Sequence, residues 1–137
     1  MGYEVAVVVA PKGNKPKWDE GSCKWATGVE IAWFGSIMAA VVGHDDVLAT
    51  HAFRDAAIEK ANREVKSTAK DVEELQALFG KIAVTDDDSY ELAASVLGEI
   101  RRAQEDADAT AWLRDRLEAI FVAVDPDVAD LWFMPSY

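Results

Sequence analysis

Residues 28–43 read GVEIAWFGSIMAAVVG, and the way this stretch folds decides the class of the protein. As a hairpin, residues 29–34 and 37–42 are two strands flanking Gly35-Ser36, a pair that suits a tight turn with glycine in first place. Val29, Ile31 and Trp33 then share one sheet face. As a helix, the same residues are apolar all round, which only a fully enclosed helix tolerates. Gly35 would then sit mid-helix at a cost of about 1 kcal/mol. The hairpin is the preferred reading and the buried helix its alternative.

Upstream, residues 3–10 (YEVAVVVA) form a continuous β-branched run ended by Pro11, the pattern of a buried strand. Residues 11–24 (PKGNKPKWDEGSCK) are a polar loop punctuated by two prolines and two glycines. Downstream of Gly43 the apolar period becomes helical. A first helix spans 46–65, capped by Asp46, with Phe53, Ala57, Ala61 and Val65 on its stripe. Thr68 and Asp71 resemble a capping box ahead of Val72, Leu75, Leu78, Phe79 and Ile82. Thr85 caps a third helix with Asp86, Asp87 and Asp88 at the positive end of its macrodipole, followed by Leu92, Val96 and Ile100. Asp108 caps a fourth, carrying Leu113, Leu117, Ile120, Phe121 and Val124, and Asp125-Pro126 restarts a short turn. The fold expected is α+β: a small N-terminal sheet of about three strands, including the hairpin, packed by four main helices.

The 137 residues, 50% of them apolar, suit one globular domain that folds without disulfides or metal. The single Cys23 forms no internal disulfide, residues 1–4 lack the basic start of a signal peptide, and residues 31–43 are too short for a bilayer span of about 20 residues. A cytoplasmic location is expected. Fourteen Lys and Arg against 25 Asp and Glu give a net charge of −11, which disfavours direct contact with nucleic acid or anionic membranes. Residues 1–24 carry four lysines and three acids, so the remaining residues carry −12. The acidity belongs to the helical part.

His44-Asp45 is the dipeptide after which a family of metal-dependent phosphohydrolases is named. That family needs a further histidine upstream, and His44 is the first of only two here. A smaller metal site using His44, His51 and Asp55 is the alternative, since His51 and Asp55 lie four apart on one helix face. Helix capping and a part-buried His51 explain the same residues, and no metal or other cofactor is expected. Cys23 lacks the flanking signature of a catalytic nucleophile. Lys12, Lys15 and Lys17 follow a strand but miss the Walker spacing, which leaves a solvated loop or a seat for an anion beside Trp18. The acidic runs 86–88 and 125–130 match no EF-hand and read as helix caps.

The C-terminal run LWFMPSY, residues 131–137, is unusual because chain ends are mostly polar and frayed. Leaving such side chains in water forfeits about 1.5–3 kcal/mol each. They dock on their own core, on a second copy in a homodimer, or on another protein. The functional expectation is a non-catalytic acidic interaction or inhibitor protein that covers a partner protein, one of basic, nucleic-acid-binding type. Small inhibitors and adaptors of mobile elements share this composition. Asp86, Asp87, Asp88, Trp18, Trp132 and Phe133 are its candidate contacts. The alternative is a small metal-dependent hydrolase using His44, His51 and nearby carboxylates.

Overall fold

The run of valines after Tyr3 forms β1 (Glu4–Ala10) and occupies the middle of an antiparallel sheet. The computed structural model describes residues 3–34 and 39–136. In chain order the further elements are β2 (Trp18–Asp19), β3 (Lys24–Trp25), β4 (Val29–Phe34), α1 (Ala39–Val42), β5 (Val47–Leu48), α2 (His51–Gly80), α3 (Asp87–Ala123) and β6 (Asp130–Ser136). The main sheet has the order β4-β1-β6-β5, and β2 and β3 form a separate two-stranded ribbon. The α+β class holds, but among the described residues the main sheet has four strands and there are two long helices rather than four.

Residues 29–34 are a strand as expected, whereas Ala39–Val42 is helical. The return strand at 37–42 is therefore corrected for residues 39–42; residues 35–38, with the Gly35-Ser36 turn, lie outside the described residues. Gly43 follows α1 at φ +80°, the left-handed conformation that ends helices and that glycine adopts without strain. Four alanines and valines carry no period that separates strand from helix.

The expected strand count falls short because the apolar tail is itself a strand. β6 lies between β1 and β5, with Val7 opposite Phe133 and Val8 opposite Trp132. Pro135 sits beyond the end of β5, where β6 has no partner on that side among the described residues and a missing N–H is tolerated. Opposed residues share a face, so Val5, Val7, Leu131 and Phe133 point one way and Ala6, Val8, Trp132 and Met134 the other. Phe133 is fully buried against Phe53 of α2 and Phe121 of α3, with ring centroids 5.5 and 6.1 Å away. The opposite face is covered by Trp25, which packs with Trp132 on Ala6, Val8 and Met134.

The helix expected from Asp46 starts later. Thr50 accepts the Phe53 N–H at 3.1 Å and caps α2, while Asp46 pairs with Lys15 at 2.8 Å. Thr68 and Asp108 end nothing: the Thr68 hydroxyl donates to the carbonyl of Glu64 inside a continuous helix, and α3 runs through Asp108. The chain divides into two compact units, residues 1–60 with 113–137 and residues 61–112. The first contains the sheet. The second is made of the C-terminal part of α2, the connection 81–86 and the N-terminal part of α3.

Candidate functional site

In the second unit, Asp86 caps α3, one residue later than the expected Thr85. Its carboxylate accepts the Ser89 N–H at 2.8 Å, and the Ser89 hydroxyl accepts the N–H groups of Thr85 and Asp86. The Ser89 backbone N–H, then its hydroxyl, hold the Asp86 carboxyl below the ordinary aspartate value. Asp87 and Asp88 occupy the exposed first turn.

This unit buries few large side chains. Among the described residues of 61–112, Ala61, Ala93, Val96, Ile100 and Thr110 are buried, whereas Leu78, Phe79, Val84, Tyr90, Leu92 and Leu97 are exposed. Two helices alone cannot enclose both apolar faces. Between them runs a groove of about 560 Å³ floored by Leu75, Leu78 and Ala103. Its rim carries Asp71, Glu74, Glu99 and Asp106, with Arg102 the one basic member. Residues 61–112 hold six Lys and Arg against twelve Asp and Glu. The groove thus combines an apolar floor with a negative rim. Sequence reading has Leu75 and Leu78 only as members of a helical apolar stripe; the signal that marks them as a surface is the run of acids at helical spacing on either side.

The first unit places the remaining candidates. Trp18 packs edge-to-face on Trp25 at 5.1 Å across the β2–β3 ribbon, and with Trp33 they line a cleft of about 590 Å³. Trp132 is half-buried beneath Lys15, whose ammonium lies 5.6 Å from its ring. The indole N–H groups of Trp25 and Trp132 are buried without a partner among the described residues. Phe133 is interior and presents no face to a partner. The ribbon's turn is held by Asp19, which accepts the Gly21 N–H at 3.0 Å and the Ser22 hydroxyl at 2.8 Å; Ser22 first, then Gly21, lower its pKa. Cys23 stands in the same turn at φ 54°, its thiol directed to the Glu20 carbonyl.

His51 gathers with Asp125 and Asp127, their ligand atoms within 4.8 Å of one another, and among the described residues His44 and Asp55 join no such group. His44 instead meets the Tyr3 ring edge-on at 5.8 Å. Both ring nitrogens of His51 have neighbours: the Arg54 guanidinium lies at Nδ1, and Asp127 Oδ1 is 3.1 Å from Nε2. Asp125 also accepts the Asp127 N–H at 2.9 Å. The cluster ties the 125–130 loop to the start of α2. Comparison with protein families, with characterised proteins and with solved structures returns no match for this chain.

Proposed function

We propose that the protein is a non-catalytic acidic interaction protein whose helical unit takes a basic, amphipathic helix of a partner protein into the groove between α2 and α3. The observation that carries this reading is the apolar floor of Leu75, Leu78 and Ala103 inside a rim of four carboxylates. An amphipathic helix inserts apolar residues spaced one turn apart into such a groove. Its flanking lysines and arginines then meet the rim, which raises the association rate and selects against acidic partners. A nucleic-acid-binding protein, rich in basic surface, has the required chemistry.

The test is calorimetric titration with a synthetic 18-residue helical peptide of leucine and lysine, beside a scrambled peptide of equal charge that lacks an apolar face. The amphipathic peptide should bind at least about tenfold tighter than its scramble, as expected for an interface anchored by buried apolar side chains. Leu78→Asp, at a position 49% exposed and therefore outside the core, should remove that preference. Glu74→Lys combined with Asp106→Lys should remove the salt dependence. Equal binding of both peptides, indifferent to these substitutions, refutes the groove as the binding site.

A further inference from the structure

β4 stands at the edge of the main sheet, bonded on one side to β1 and on the other to none of the described residues. Its six residues contain neither proline nor lysine, and Glu30 is the one charged side chain on it. Val29, Ile31 and Trp33 are 70%, 41% and 44% exposed. The register slips between Val7 and Val8, so that Ala32 faces Val7 and Glu30 faces Val8, leaving Ile31 as the extra residue of a bulge. Trp33 stays opposite Ala6 and so projects from the face covered by the tryptophan ribbon.

The edge and the cleft are therefore neighbours. Trp33 belongs to the edge strand and lines the cleft together with Trp18 and Trp25. A chain added beside β4 would set every second side chain on that same face, next to Trp33 and beneath the ribbon. The charge of the cleft mouth is equally specific. Lys15 is neutralised by Asp46 at 2.8 Å, whereas Lys17, also lining the cleft, has no carboxylate partner among the described residues. On a chain of net charge −11, residues 1–24, with four lysines against three acids, escape the acidity of the rest.

We propose that β4 accepts an extended, acidic peptide that joins the sheet as a fifth strand, places alternate apolar or aromatic side chains against Trp18, Trp25 and Trp33, and sets a carboxylate on Lys17. Backbone pairing supplies affinity and the cleft supplies selectivity, the division of labour common to strand addition. This site lies in the sheet unit and does not depend on the helical groove.

The probe is an N-acetylated, C-amidated octapeptide alternating glutamate with valine and phenylalanine, titrated against the full chain by tryptophan fluorescence and by amide exchange. Saturable binding with a blue shift and with new protection of amides at 29–34 is expected. The lysine counterpart should bind at least about tenfold more weakly, and Lys17→Glu should reverse that preference. Trp33→Ala should weaken binding at least about tenfold. Methylating alternate backbone nitrogens of the peptide should abolish binding in one of the two phases; this arm leaves the protein unaltered and decides the matter should Trp33→Ala unfold. Binding unaffected by methylation in either phase overturns strand addition. Preference for an oligothymidylate over the peptide overturns the ligand class. A concentration-dependent dimer, with the amides at 29–34 already protected in the absence of peptide, overturns the proposal in favour of pairing between two copies.

Discussion

Gly28 holds φ at +98°, and a Cβ placed on it would lie 2.8 Å from both Val8 Cγ1 and the carbonyl oxygen of Val9. One of those neighbours is backbone and cannot yield without moving β1. Gly28→Ala therefore combines left-handed strain, about 1–2 kcal/mol on its own, with a clash against the central strand. Thermal or denaturant unfolding should show a loss above about 2 kcal/mol; a loss under about 0.5 kcal/mol would show that β1 shifts freely. Asp86 acts through protons instead. Hydrogen bonds from Ser89 hold its carboxyl below the ordinary aspartate value, so its cap stabilises fully above that ordinary value and fades as pH falls through the lowered one. Asp86→Ala should lower the melting temperature at neutral pH and flatten its acid dependence below about pH 4. Asp86→Asn should keep the cap at neutral pH and lose only the pH dependence. The cap was legible in the sequence to within one residue, because Thr85 and the three aspartates after it mark a helix start. The strain at Gly28 was not, because close approach of Val9 is set by pairing distant in sequence.

At the level of elements, β1 was legible because a valine run ended by proline has one reading. β4 was legible up to Phe34. The tail was legible as hidden but not as a strand between β1 and β5, since nothing within residues 130–136 specifies β1 as neighbour. The helices were found by their period and cut in the wrong places, because Thr68 and Asp108 look like caps. In the structure such side chains bond inside the helix: the hydroxyls of Thr68 and Thr110 donate to the carbonyls of Glu64 and Asp106 at 2.9 and 2.7 Å. The true stop is Gly80, after which the N–H groups of Lys81 and Ile82 still bond to the carbonyls of Leu78 and Phe79 and the chain leaves the helix before Asp86. Gly98, in contrast, lies within α3, where an added Cβ meets nothing within 4 Å. Gly98→Ala should stabilise the protein by about 0.5–1 kcal/mol, through both helix propensity and a less disordered unfolded chain. A decrease in the denaturation midpoint would mean that the glycine serves close approach of another group.

Across the whole molecule, charge and burial are distributed unequally, and this has a measurable consequence. Residues 61–112 carry a net charge of −6 by the counts above, and Val96 and Ile100 are the only large apolar side chains buried among them. The sheet unit instead fully buries Val5, Val7, Val8, Leu113, Leu117, Leu131 and Phe133. Each such side chain contributes about 1.5–3 kcal/mol on removal from water, so opening the sheet forfeits far more than opening the helical unit. Amides of 61–112 should exchange through openings of lower free energy than those of β1 and β6. Self-repulsion among their carboxylates adds to this, and at about 0.15 M ionic strength the Debye length is near 8 Å, so carboxylates further apart than that are largely screened. Raising salt from about 0.02 to 0.3 M should slow exchange across 61–112 and leave β1 unchanged. A ligand that fills the groove should slow it at fixed salt, because binding only the closed form stabilises it by mass action. Hydrogen exchange read by mass spectrometry resolves all three comparisons in one protein. Exchange in 61–112 as slow as in β1, and indifferent to salt, would mean that the helical unit is complete by itself. Its exposed leucines would then need no partner, and the groove would lose the physical reason for being filled.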